Sequence, residues 1–97
     1  NMKVSGFGAS TKGNVLLQLA NIDNSLLDRI YDVNKEKFGK LTPITNIKIK
    51  DEIDLTKEKQ DYLLILIWHF KKFIYKKIAS KNKKIKLIIP FPKIKII

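Results

Sequence analysis

Apolar and polar positions along this chain follow two rhythms, and each predicts its own elements. A short run at residues 3–5 opens a first strand, expected over 3–7, that turns through glycines. Apolar residues then recur at helical spacing, which predicts a helix starting near residues 11–13 and burying Val15, Leu16, Leu19 and Ala20. Residues 21–25 are turn-rich, and 26–33 return to a strand pattern that ends on Asp32. Gly39 and Pro43 make 35–49 a loop followed by a short extended segment. The charged stretch 51–60 predicts a turn or two of helix, capped by Asp54 or Thr56.

The second half is simpler. Residues 62–68 are nearly all apolar, as in a central parallel strand buried on both faces. Phe70, Phe73, Ile74 and Ile78 then repeat at helical spacing, with Lys71, Lys72, Lys76 and Lys77 as the wet face. A turn at 80–84 and a strand at 85–89 follow. Pro90 and Pro92 bend the chain and place a last short strand, 93–97, at a sheet edge. Strands alternating with helices predict an α/β fold of three layers around a small, mostly parallel sheet.

Composition narrows the picture. Ninety-seven residues make one domain over 1–97, with a single core. There is no cysteine, which excludes disulfides and thiolate zinc sites. The longest apolar run, 63–68, is too short to span a bilayer, and no secretory signal pattern is visible, so no membrane partner and a cytoplasmic location are expected. The net charge of +11 invites a nucleic-acid partner. Against it, Arg29 is the only arginine among the 20 basic residues, and arginine is the residue suited to bidentate phosphate and base contacts. The lysines at 35–50, 71–86 and 93–95 read as a solvated surface rather than one patch.

The candidate chemistry gathers at Gly6, Gly8, Ala9, Ser10, Thr11, Lys12 and Gly13. A strand that turns through glycines into a helix aims backbone N–H groups and a positive dipole end at one point, which suits a phosphate. The spacing meets neither the G-x-G-x-x-G nor the G-x-x-x-x-G-K-[ST] pattern. A tight turn using glycine for close packing is the alternative. Asp32 follows Gly13 by nineteen residues, where an acidic side chain would meet a ribose hydroxyl; an Asx turn shared with Asn34 is the alternative. Lys12 and Lys40 lie in loops at the expected carboxyl edge and are candidate phosphate contacts. Trp68 is expected to line core or pocket. His69, the one histidine, has no nucleophile or carboxylate partner in view, so no catalytic residue is assigned.

These segments together resemble the carboxyl-terminal domain of SAM-dependent sugar C-methyltransferases. Gly6 to Asn14 (G-F-G-A-S-T-K-G-N) is similar to that family's G-Y-G-A-S-A-K-G-N opening. Asp32, Asn34, Lys37, Gly39, Lys40, Thr42, Pro43 and Thr45 resemble its D-R-N-P-x-K-x-G-K-x-T-P-G-T segment. Asp61-Tyr62 through Trp68-His69-Phe70 resembles D-Y-x-L-x-x-x-W-N-F, and Ile89-Pro90-Phe91-Pro92 resembles the closing I-P-x-P. Val33, Ile44 and His69 stand where the family has Arg, Gly and Asn, and the Val33 change removes a phosphate contact.

The resemblance implies a Rossmann-like domain that binds a nucleotide-linked sugar of the dTDP class in deoxysugar biosynthesis. Asn34, Thr42, Trp68 and His69 join the binding set on that ground. It also implies that SAM and a structural zinc belong to other segments of a parent enzyme, and that the SAM-binding domain, in the parent chain or a partner subunit, is the protein partner. This chain is then expected to be a fragment or stand-alone copy, inactive alone and holding no cofactor. Two readings of other classes stay open: an independent nucleotide- or phosphate-binding regulatory module, and a basic nucleic-acid-binding module.

Overall fold

The computed structural model describes residues 2–81 and 84–97. Six strands form one sheet: β1 (Val4–Phe7), β2 (Arg29–Asp32), β3 (Lys48–Asp51), β4 (Tyr62–Ile65), β5 (Lys86–Ile89) and β6 (Lys95–Ile96), in the order β3-β2-β1-β4-β5-β6. All neighbouring pairs are parallel except β5 with β6, which is antiparallel. Two helices accompany them, α1 (Thr11–Leu19) and α2 (Lys71–Lys81). The fold is therefore α/β with a mostly parallel sheet, as the alternation of patterns predicts. No helix among the described residues is long and apolar enough to cross a membrane.

Successive residues of a strand face opposite sides, so the core divides in two. Leu63 and Ile65 of β4 pack with Phe7, Tyr31, Ile74 and Ile78, which places α2 on that face. Leu64 and Leu66 pack with Ile30, Ile49 and Leu17, which places α1 on the other. β4 is apolar at every position because both its faces are covered. Buried Ser5 on β1 stays satisfied by donating from Oγ to Gln60 Oε1 at 2.5 Å.

Several expectations need correction. The strands are shorter than the apolar runs: β2 covers Arg29–Asp32 rather than 26–33, and β4 ends at Ile65. Trp68–Phe70 turns into a 3-10 turn before α2. The stretch 51–60 holds one short 3-10 turn, Glu52–Thr56, capped by Asp51 rather than Asp54 or Thr56, its Oδ1 accepting from the Ile53 N–H at 3.1 Å. α2 runs through Ser80 to Lys81; part of the expected 80–84 turn, residues 82 and 83, lies outside the described residues.

The helix faces differ most. On α1 the buried positions are Gly13 and Leu17, whereas Val15, Leu19 and Ala20 are exposed. The reason is Gly13: a Cβ there would lie 2.8 Å from Leu66 Cβ, so the backbone of α1 rests against the end of β4. That contact rotates the Leu17 side of the helix onto the sheet and turns Leu19 outward. Ile74 and Ile78 of α2 are buried, but Phe73 of α2 and Phe70 of the 3-10 turn before it are exposed.

Ile44 has a φ of +68°, a left-handed conformation that is costly for a β-branched residue, and it is 78% exposed. The turn has kept the backbone that a glycine would favour. Ile44→Gly is expected to raise stability by about 0.5–1 kcal/mol, strain relief exceeding the added unfolded-state entropy. The urea midpoint measures this, and a lower midpoint would contradict it.

An ionic cluster fastens the segment after β3 to β2. Glu58 accepts from the Tyr31 hydroxyl at 2.6 Å, lies 2.6 Å from the Arg29 guanidinium, and also pairs with Lys50. Burial alone would raise the Glu58 carboxyl, but hydrogen bonds from Lys50, Tyr31 and Arg29 outweigh it and bring the pKa down to about 2. Burial, then the Glu58 carboxylate, push the Tyr31 phenol up. A depressed carboxyl stabilises the fold fully above its unfolded value near 4.5, and that contribution is lost as pH falls towards 2. The partly exposed setting holds it to about 1–2 kcal/mol. In melts at pH 6 and pH 3, Glu58→Gln should lose less stability on acidification than the parent sequence. Parallel losses would contradict the assignment.

Candidate functional site

The turn from β1 into α1 is built from its own hydrogen bonds. Gly8 has a φ of +94°, and its N–H donates to Tyr31 O at 2.8 Å. The Ala9 N–H donates to Asp32 Oδ2 at 2.7 Å, and the Ser10 N–H to Gly8 O at 3.0 Å. Ser10 caps α1, its Oγ accepting from the Gly13 N–H at 3.0 Å. The Asn14 N–H reaches Ser10 O at 2.9 Å. Among the described residues, the Thr11 and Lys12 N–H groups at the positive end of the helix have no acceptor.

Asp32 organises the neighbouring edge. It is 9% exposed, and its Oδ1 accepts from the Asn34 N–H at 2.8 Å, the Asx turn foreseen as the alternative reading. Asn34 Oδ1 in turn caps the 3-10 turn Lys35–Lys37 by accepting from the Glu36 N–H. This turn carries Lys37 back over the glycine loop, where its Nζ donates to Ala9 O at 2.6 Å. A carboxylate and an ammonium are thus fixed on the loop from two directions.

Beside them opens a cavity of about 600 Å³. Its polar side is the Gly8–Ser10 backbone with Asp32 and Lys37, and its apolar side is Ile67, Phe70 and Phe73. Lys77 closes one end, its Nζ 5.8 Å from the centre of the Phe73 ring and 2.7 Å from Glu52 Oε1. The cavity lies at the carboxyl ends of β1, β2 and β4, where the chain passes to β2 on one side of β1 and β4 on the other. In open α/β sheets such a reversal leaves the crevice in which ligands bind. One carboxylate, two ammonium groups and an aromatic wall can hold a molecule with a ring, hydroxyls and negative charge.

The sequence candidates fall into separate places. Gly8, Ala9, Ser10 and Asp32 line the cavity together. Thr11, Lys12 and Trp68 border a smaller hollow of about 310 Å³ with Phe91, whose ring centre is 4.8 Å from that of Trp68. Gly6 and Gly13 serve close packing: a Cβ on Gly6 would lie 3.0 Å from Ile30 Cγ1. His69 is exposed, its ring 4.5 Å from Phe70.

Lys40 and Thr42 lie away from the loop. Lys40 joins the outer side of β3, its carbonyl accepting from the Ile49 N–H at 2.9 Å. Thr42 is buried, with Oγ1 against Thr45 Oγ1 at 2.5 Å and accepting from the Ile47 N–H at 2.9 Å. Lys37, Phe70, Phe73 and Lys77 are in the cavity wall although they were not among the sequence candidates. For Lys37 the available signal was Asn34, a turn-capping residue three positions earlier. Among the described residues no three or more His, Asp or Glu side chains converge as a metal site.

No curated protein matches the sequence. Residues 1–92 match the family described as the C-methyltransferase C-terminal domain, and the chain therefore belongs to that family.

Proposed function

We propose that this chain is the substrate-side domain of a SAM-dependent sugar C-methyltransferase, a Rossmann-like three-layer unit that binds a nucleotide-linked sugar and is not catalytic alone. Membership of the family supports a place in a methyltransferase. The observation that carries the binding role is the cavity at the strand-order reversal, with Asp32 and Lys37 on one side and Phe70 and Phe73 on the other. SAM, bound by a separate domain of a parent chain or partner subunit in the cytoplasm, supplies the methyl group. With no cysteine to offer, this chain leaves any structural zinc to other segments.

The residues here bind and orient. Asp32 has acceptor capacity beyond its two backbone donors and takes a hydroxyl of the ribose or sugar. Phe70 and Phe73 cover a ring face and exclude water. Lys37 and Lys77 on the cavity wall, with the N–H groups of Thr11 and Lys12 at the adjoining start of α1, draw the diphosphate to the rim. The carboxylate on the Ala9 N–H makes the centre of the loop a poor phosphate seat, so the diphosphate sits at the rim.

Isothermal titration with dTDP, a dTDP-sugar and SAM, at two salt concentrations, tests this reading. The dTDP species should bind while SAM does not, and Lys37→Ala should weaken dTDP binding about tenfold. SAM binding in preference to the dTDP species would overturn it.

A further inference from the structure

Ten of the eleven net positive charges belong to the last 36 residues. Residues 1–61 hold ten basic and nine acidic side chains, whereas 62–97 hold ten lysines and no acidic residue. Spaced along the sequence, these lysines read as a diffuse solvated surface. The fold brings four of them together, Lys71, Lys72 and Lys76 of α2 beside Lys95 of β6, the last strand in the sheet order.

Lys71, Lys72 and Lys76 of α2 and Lys95 of β6 surround a groove of about 330 Å³ floored by Tyr75, Ile89 and Ile97. None of these four lysines makes an ion pair among the described residues. An acidic occupant would relieve the repulsion among them and meet four ammonium groups around a part-apolar floor.

The same end carries the sheet's open edge. Among the described residues, β6 is bonded to β5 on one side and to no strand on the other. Leu87 and Ile97 exchange both backbone hydrogen bonds, at 2.8 and 2.9 Å. The next pair, Ile88 with Ile96, is then a non-bonded pair, and the Ile96 N–H and C=O point away from the sheet. Along β6, Lys95 and Ile97 face the groove while Ile94 and Ile96 face the other side, 78% and 57% exposed. The edge offers backbone partners, a cationic face and an apolar face in register.

We propose that β6 is a docking edge for an extended acidic polypeptide segment, which adds a strand with acidic side chains over the lysine groove and apolar ones beside Ile94 and Ile96. A second copy of this chain would bring one lysine-rich end against another, which charge opposes. A nucleic acid would use the lysines but neither the open backbone ladder nor the two exposed isoleucines. The alternation of Lys95 with Ile94 and Ile96 is what selects a strand over other polyanions.

The test is fluorescence anisotropy of this chain with a labelled peptide of about eight alternating Glu and Val residues, long enough to span the edge. Comparison ligands are a Glu-block/Val-block peptide of the same composition, a single-stranded oligonucleotide of equal charge, and phosphatidylserine vesicles. The alternating peptide should bind about tenfold tighter than the block peptide. Lys72→Glu with Lys76→Glu should weaken it about tenfold or more. Ile96→Pro removes only an outward N–H and should weaken it about fivefold, with the β5 amide spectrum unchanged.

Equal affinity for the two peptides, or no binding of either, would overturn the proposal. So would tighter binding of the oligonucleotide or vesicles that is lost on lysine reversal yet indifferent to Ile96→Pro.

Discussion

Leu17→Ala is expected to lower the unfolding free energy by about 3 kcal/mol, while Leu19→Ala, two positions on, changes it by less than about 0.5 kcal/mol. Leu17 is fully buried among Ile30, Ile47, Leu64 and Leu66, so its truncation leaves a cavity walled by strands that cannot collapse inward. Leu19 is 80% exposed beside the Trp68–Phe91 hollow. Urea unfolding of both variants measures the contrast. The reverse ranking would mean that α1 sits on the sheet by the Leu16–Leu19 side, and the close approach of Gly13 to Leu66 would be wrong with it.

Asp32→Ala should cost about 2–3 kcal/mol, the second large effect. Its carboxylate holds the Ala9 and Asn34 N–H groups in a mostly buried setting, and alanine leaves both donors without that partner. Asp32→Asn keeps one acceptor oxygen and should lose about half as much. Hydrogen exchange should show the Ala9 amide opening faster in Asp32→Ala, with β5 unaffected. A loss below about 0.5 kcal/mol would show that the glycine turn keeps its shape without the carboxylate.

These contrasts mark what the sequence could disclose. The strand–glycine–helix start, Asp32 at the end of β2, and the proline-flanked edge strand were legible because each depends on local chemistry: a cap, an Asx turn, a missing N–H. The buried face of α1 was not. Val15, Leu16 and Leu19 form the more apolar stripe, but Gly13 decides the seating through contact with a residue 53 positions away. Phe70, just before α2, and Phe73 on it share the helical spacing of Ile74 and Ile78, and only the position of the β1–α1 loop shows that they wall a cavity.

The lysines follow the same logic. Lys37 and Lys40 are three residues apart in one basic loop, and composition ranks them equally. The 3-10 turn capped by Asn34 returns Lys37 to Ala9, while the bond between the Ile49 N–H and the Lys40 carbonyl draws Lys40 to the far edge of the sheet. The uneven charge was countable from the start. Its meaning needed the fold, which brings Lys71, Lys72 and Lys76 of α2 beside Lys95 of β6.

The central claim, that the cavity beside the glycine loop receives the nucleotide-sugar, is tested most directly by mapping amide shifts of the nitrogen-15-labelled chain as a dTDP-sugar is added. The account predicts the largest shifts at Gly8, Ala9, Ser10, Asp32 and Phe73, smaller ones at Thr11 and Lys12, and none at Lys40. Shifts confined to the lysine-rich end of α2 and β6, with the glycine loop silent, would contradict it.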